Sequence, residues 1–117
     1  MTHSILKVYS STTDKVGSTL LYEHVVYLAK NMGISGVTVY RGIMGYGMSS
    51  GNITTTRFWE LTEKLPVMIE IIDKTEKLEQ FYRLIEPDLR NMPKGCLVSL
   101  EPVEILLQKP GKEQKKI

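Results

Sequence analysis

The stretch with the most capacity for binding is a glycine-rich segment, residues 40–51, that reads YRGIMGYGMSSG. Glycines let a backbone approach a ligand closely, and hydroxyl side chains nearby can hydrogen-bond to it. An arginine on each side can hold a phosphate or a carboxylate through two parallel hydrogen bonds. The candidate ligand-binding residues of this region are Arg41, Gly42, Gly45, Gly47 and Arg57.

The spacing of these glycines excludes two familiar nucleotide motifs. A dinucleotide-binding turn needs G-x-G-x-x-G between a strand and a helix, and GYGMSSG misses that spacing by one residue. A P-loop needs G-K followed by serine or threonine, which this segment lacks. The remaining alternatives are a hairpin tip and a functional loop. Residues 45–57 form a longer connection than a hairpin needs, and long loops in compact domains are often functional.

A second candidate lies in the turn PKGC, directly before the last predicted strand. Lys94 and Gly95 would place an ammonium group beside backbone N–H groups, an arrangement suited to an anion. An ordinary turn is the alternative interpretation. We therefore count Lys94 and Gly95 as candidate ligand-binding residues.

Residues for catalysis or metal binding are sparse. Cys96 could be imagined as a nucleophile with His24 or His3 as its base, but a cysteine that opens a strand is typically a small buried apolar residue. Two histidines and one cysteine, widely separated, do not match the spacing of a metal site. The sequence therefore predicts neither a catalytic group nor a metal ligand, and we expect a protein that is not an enzyme.

Length and charge indicate one domain. A chain of 117 residues suits a single compact core. Residues 110–117 hold three lysines and one glutamate, so this tail accounts for the whole net charge of +2. We predict a domain over residues 1–109 and a disordered basic tail over 110–117. The sequence shows no signal peptide, no apolar run of membrane-spanning length and one cysteine, so we expect a cytoplasmic protein.

The hydrophobic pattern gives the order β-α-β-β-α-β. Strand-like runs alternate with two segments whose apolar residues recur every three or four positions. The predicted elements are strands at 5–10, 36–44, 65–73 and 96–108 and helices at 19–33 and 74–92. Pro87 should kink or split the second helix, and Pro102 argues for an edge strand or a bulge. The predicted fold is α+β and ferredoxin-like, an antiparallel sheet with two helices on one face.

The predicted sheet is apolar on both faces. In the third strand, Val67, Ile69 and Ile71 point to one side, while Met68 and Ile72 point to the other. A sheet face left in water normally carries polar residues at alternate positions. The face away from the helices is therefore expected to pack against other copies of the chain.

RNA-recognition domains share this element order, so RNA binding has to be considered. They present aromatic residues on their central strands for base stacking. The strand VMIEIID has no aromatic residue. The sequence therefore predicts no nucleic-acid partner.

Three stretches together resemble one family. They are LLYEHVVYLAKNMGISGVTV, then VYRGIMGYGMSSGNITTTRFWELTEKLPVMIEIID, and CLVSLEPVEIL. This pattern, over roughly residues 5–107, is similar to the PII-like proteins grouped as domain-of-unknown-function family 190. The resemblance implies a homotrimer whose sheets line the centre, and a regulatory protein whose ligand lies between subunits. It also implies that the loop at residues 46–57 changes shape with the ligand and contacts partner proteins.

The same resemblance implies roles for single residues. Gly42 and Gly45 would match the loop base of PII signal proteins, and Lys94 and Gly95 their phosphate-binding turn. An adenine nucleotide (ATP, ADP or AMP) is the favoured ligand, and a membrane transporter or channel is a candidate partner. This chain carries Glu101 and Glu104 where PII signal proteins have an arginine pair. The alternative is a binding or assembly module that responds to a metal or a transporter and binds no nucleotide.

Overall fold

The computed structural model describes residues 2–47, 54–55 and 65–111. The elements in chain order are β1 (His3–Ser11), β2 (Lys15–Val16), β3 (Thr19–Leu20), α1 (Leu21–Asn31), β4 (Gly36–Arg41), β5 (Met44–Gly45), β6 (Thr54–Thr55), β7 (Pro66–Lys74), α2 (Thr75–Asn91) and β8 (Leu97–Val103). The long strands form one antiparallel sheet in the order β4-β7-β1-β8. This arrangement confirms the predicted ferredoxin-like fold.

The core lies between one face of the sheet and the two helices. Alternate residues of β1 and β7 point to this face because side chains along a strand alternate between its two sides. The helical periodicity of α2 places its apolar residues on the opposing side. The buried cluster includes Leu6 and Val8 of β1, Ile69 and Ile71 of β7, Leu21 and Val25 of α1, and Leu78, Phe81, Ile85 and Leu89 of α2.

The other face of the sheet, which we call the outer face, carries a row of large apolar residues across all four strands. Strand pairing puts Tyr40 opposite Met68, Met68 opposite Tyr9, and Tyr9 opposite Leu97. Tyr9, Tyr40 and Leu97 are 40%, 46% and 59% exposed. The next row is polar and consists of Thr38, Glu70, Lys7 and Ser99. The ammonium of Lys7 lies 2.9 Å from the carboxylate of Glu101, which is one row further along β8. That hydrogen bond, with the attraction of Glu101's negative charge, raises the pKa of Lys7.

Two details of the predicted elements were wrong. Of the kink or split predicted at Pro87, the split is contradicted, because α2 continues through the proline to Asn91. The buried side chains on both sides of the proline hold the helix to the sheet and offset the lost backbone hydrogen bond. The last strand ends at Val103 and does not continue to residue 108. Pro102 does lie in an edge strand, as predicted.

No helix in the described part of the chain is long and apolar enough to cross a bilayer. The division into a domain over residues 1–109 and a tail over 110–117 stays a prediction, since residues 112–117 lie outside the description.

Candidate functional site

Gly42 lies against Pro66 where the long loop leaves and rejoins the sheet. The Gly42 N–H donates to the Pro66 carbonyl at 2.6 Å. A Cβ at residue 42 would come within 2.8 Å of the Pro66 ring, closer than real Cβ contacts. Pro66 can open β7 because the first residue of a strand tolerates a missing donor. The geometry therefore requires glycine at position 42 for packing, whatever else it does.

A two-residue ladder joins the two limbs of the loop above this contact. Met44 pairs with Thr55 and Gly45 with Thr54 in antiparallel register. A Cβ added to Gly45 would touch Pro66 at 3.5 Å, whereas one added to Gly47 meets nothing within 4 Å. Arg41 is exposed at the end of β4, opposite Val67. Arg57 and most of the predicted 46–57 loop lie outside the described residues.

Thr12, which the sequence did not single out, ties the returning limb of the loop to the end of β1. Its N–H donates to the Leu65 carbonyl at 2.9 Å, and its hydroxyl accepts from the Leu65 N–H at 3.1 Å. The contact joins residues 53 positions apart. The local sequence STTDK does not predict this contact, because a threonine in a polar loop can hydrogen-bond to many different partners.

Lys94 lines a cleft of about 510 Å³ between the turn after β1 and the C-terminal end of α2. The other lining residues are Thr13, Asp14, Lys15, Val16, Gly17, Asp88, Asn91, Met92 and Pro93. Asp14 is buried and shapes the turn: its carboxylate accepts from the Ser11 N–H at 2.9 Å, and its carbonyl accepts from the Leu21 N–H at 2.7 Å. The sequence predicted Lys94 as a ligand-binding residue, but it did not identify residues 13–17, which line the other side of the cleft.

The charges in this cleft are mixed. Lys15 and Lys94 can attract an anion, whereas Asp14 and Asp88 repel one. The C-terminal end of a helix also carries partial negative charge, and here it is the end of α2. The cleft is therefore not uniformly attractive to an anion.

The two predicted patches lie at the same end of the sheet but at opposite edges. Arg41 ends β4, Pro66 begins β7, Ser11 ends β1 and Leu97 begins β8. Strand order puts β4 and β8 three strand spacings apart, which is roughly 14 Å. Within one subunit, therefore, Gly42 and Lys94 do not surround one small ligand.

The geometry does not bring Cys96 and His24 together as a nucleophile and its base. Cys96 is exposed, so the expectation of a buried apolar residue was wrong. It precedes β8, whose first residues project from an edge strand and leave it little cover. Partial desolvation, reinforced by the negative charge of Asp14, raises the pKa of the Cys96 thiol and keeps it protonated at neutral pH. The Nε2 atom of His24 instead lies 3.1 Å from the Asp88 carboxylate.

The part of the chain that the structure describes gathers no three histidine, cysteine, aspartate or glutamate side chains in a metal-binding group.

Comparison with known sequences places the chain beside uncharacterised relatives. The model of the family DUF190, described as Uncharacterized ACR, matches residues 3–105. A UPF0166 protein of Aquifex aeolicus is 31% identical over 102 residues, covering 87% of this chain and 91% of that protein. A UPF0166 protein of Methanocaldococcus jannaschii is 40% identical over 76 residues, covering 65% of this chain and 68% of that protein.

Comparison with solved structures finds PII-like folds. CPII, a nitrogen regulatory PII-like protein from Thiomonas intermedia K12, was solved bound to ADP, AMP and bicarbonate; it superposes with a TM-score of 0.59 at 15% identity, covering 86% of both chains. A putative PII-like signalling protein from Thermus thermophilus gives a TM-score of 0.54 at 15% identity, covering 86% of this chain and 90% of that one. At this identity the likeness establishes the PII-like fold.

Proposed function

Since this chain belongs to the DUF190 family and has a PII-like fold, we propose that it is a trimeric regulatory protein without enzymatic activity. It binds a small ligand between subunits, and the ligand sets the shape of the loop at residues 46–57. The loop then presents a different surface to a partner protein. A membrane transporter or channel is the partner class we favour.

The observation that carries this proposal is the placement of the two binding patches. The loop base at Gly42 and the turn at Lys94 share one end of the sheet but sit at its opposite edges. When subunits pack side by side, the β4 edge of one meets the β8 edge of another, and the two patches come together. The ligand therefore contacts Arg41, Gly42, Gly45 and Gly47 from one subunit and Lys94 and Gly95 from its neighbour, with Arg57 as a further candidate from the loop.

An adenine nucleotide is the ligand we favour. CPII, which shares the fold, was solved with ADP and AMP bound. Lys94 supplies a positive charge for a phosphate, and Arg41 supplies a forked donor. The Gly42 N–H donates to the Pro66 carbonyl and Gly45 lies near the Pro66 ring, so a ligand at the loop base would lie beside both limbs of the loop.

The signal is a shift of population between loop shapes. A ligand moves such an equilibrium only as far as it binds one shape better than the other. The anchors that separate the loop from the sheet are the Gly42–Pro66 and Thr12–Leu65 hydrogen bonds. Because both limbs of the loop are anchored in this way, the change of loop shape is confined to the residues between the two anchors.

Calorimetric titration tests the proposal. ATP, ADP, AMP, cyclic nucleotides and bicarbonate are each titrated into the purified protein, with and without Mg²⁺. We expect saturable binding near one nucleotide per chain, and Lys94→Ala should weaken it roughly tenfold or more, the usual effect of losing a charged hydrogen bond. Lys30→Ala, an exposed lysine on α1, is the matched control.

Light scattering on each variant checks that the trimer persists. If no titrated ligand binds while the trimer stays intact, binding of a nucleotide is contradicted. The alternative function then remains, an assembly module that binds no nucleotide. The mixed charge of the cleft favours that alternative, because Asp14, Asp88 and the end of α2 oppose a polyphosphate there. If the protein is such an assembly module, the Arg41→Ala and Lys94→Ala substitutions leave every ligand titration unchanged.

A further inference from the structure

His24 and Asp88 join the two helices beside the cleft that contains Lys94. The Nε2 atom of His24, near the start of α1, lies 3.1 Å from the carboxylate of Asp88, near the end of α2. Asp88 also lines the cleft of about 510 Å³, together with Lys94. One carboxylate therefore contacts a histidine on α1 and forms part of the surface that an anionic ligand at Lys94 would meet.

The packing of the helices sets the position of this pair. At the other end of the two helices, the Lys77 ammonium of α2 donates to the carbonyl of Gly33, in the turn after α1, at 2.6 Å. Between these two contacts, side chains of both helices are fully buried in the core. The side chains of His24 and Asp88 are themselves 30% and 37% exposed, so protons reach them from solvent.

The protonation of His24 decides the net charge of the pair. A histidine side chain ordinarily gains a proton between about pH 8 and pH 5. In its neutral form the ring can still donate a hydrogen bond to the carboxylate, but Asp88 then keeps one uncompensated negative charge. In its protonated form the ring and Asp88 make an ion pair without net charge. The contact is thus compatible with both states, while the charge on the cleft wall differs between them.

The charges around the pair make this difference count. The titratable side chains around it are Asp14, Lys15 and Lys94 in the cleft, and Glu23 and Tyr27 on α1. With His24 neutral, the two lysines of the cleft face two aspartates and the charges cancel. With His24 protonated, Asp88 is paired and the lysines outweigh the remaining aspartate. The cleft therefore becomes more attractive to an anion when His24 gains its proton.

We propose that His24 is a positioning residue that acts through Asp88, and that its protonation strengthens the binding of a phosphate-bearing ligand beside Lys94. The inference rests on the proposed function, because it takes the ligand to be an anion held at Lys94. Since the anion binds better when His24 is protonated, binding takes up protons near neutral pH, and the affinity rises as the pH falls. The protein then responds to acidity as well as to its ligand.

Calorimetric titration of ADP into the purified protein tests this role at about pH 5.5 and about pH 8. A phosphate group also gains a proton in this range, so the proteins are compared with one another at each pH. His24→Gln keeps a hydrogen-bond donor but carries no charge. We expect it to bind ADP roughly two- to fivefold more weakly than the unchanged protein at the lower pH, and equally well at the higher pH.

Two further variants sharpen the comparison. Asp88→Asn removes the negative charge from the cleft wall and should bind ADP more tightly than the unchanged protein at the higher pH. His3→Gln is the matched control, because the second of the two histidines lies at the start of β1, at the end of the sheet away from the cleft. It should keep the affinities of the unchanged protein at both pH values.

Equal pH dependence in the unchanged protein and in His24→Gln would overturn the inference and leave the proposed function standing. If ADP binds at neither pH, the nucleotide of the proposed function is contradicted, and this inference with it. Titrations in two buffers of different ionisation enthalpy also count the protons taken up on binding, which a purely structural role of His24 does not change. We expect less uptake in His24→Gln than in His3→Gln; equal uptake in the two variants contradicts the role.

Discussion

At the scale of single residues, the contact between Gly42 and Pro66 gives a sharp prediction. Gly42→Ala places a methyl group 2.8 Å from the Pro66 ring, which cannot swing away as a flexible chain end can. We expect the free energy of unfolding to fall by about 1–3 kcal/mol, as for other overpacked sites. Urea unfolding of the ligand-free protein measures this.

Gly47→Ala is the control, because its added Cβ meets nothing within 4 Å; it should change stability by less than about 0.5 kcal/mol. Equal effects of the two substitutions would mean that the Pro66 contact is not restrictive. The sequence did identify Gly42, but for close approach to a ligand. The partner that requires glycine there is 24 residues away in the chain, and pairing over that distance has no local signature.

At the scale of elements, the joint between β7 and α2 depends on Asp73 through contacts outside the helix. Asp73 with Glu76 resembles a capping box, but the N-cap is Lys74 and makes no side-chain cap hydrogen bond. The Asp73 carboxylate instead accepts from the Ser35 N–H at 2.9 Å and lies 3.7 Å from the Lys77 ammonium. Lys77 also donates to the Gly33 carbonyl at 2.6 Å.

We therefore expect Asp73→Ala to lower the free energy of unfolding by about 1–2 kcal/mol, because it removes a buried acceptor that joins α2 to the α1–β4 connection. Glu76→Ala should cost less, since a carboxylate in the first turn without such a contact acts only on the helix dipole. Thermal or urea unfolding compares the two. Losses of equal size would indicate a capping box after all.

Periodicity predicted the elements well and their ends less well. The apolar repeat predicted a helix at 74–92, and α2 buries Leu78, Phe81, Ile85 and Leu89 on one face, because an amphipathic repeat reflects packing directly. The predicted first helix runs to Gly33, whereas α1 ends at Asn31. Gly33 lies just past this end with a φ of 73°, and the Ile34 N–H donates to the Ala29 carbonyl. The sequence did not predict the hairpin of β2 and β3, because strands of two residues are too short to show an alternation of apolar and polar residues.

At the scale of the whole molecule, the outer face of the sheet is the surface through which we expect the chains to assemble. Four aligned side chains, those of Tyr40, Met68, Tyr9 and Leu97, form a continuous apolar row, and Lys7 in the polar row beside it is ion-paired with Glu101 of β8. Apolar surface of this kind suits contact with the same surface of other copies. The trimer that we propose buries this row at its centre.

Met68→Glu places a charge in the middle of that row, where burial without a partner is unfavourable. We expect light scattering at micromolar concentration to show the 13.3 kDa single chain in place of the trimer, with circular dichroism still native. Tyr27→Glu, on exposed α1, is the matched control and should leave the trimer intact. A trimer that survives Met68→Glu would contradict an interface at the outer face of the sheet.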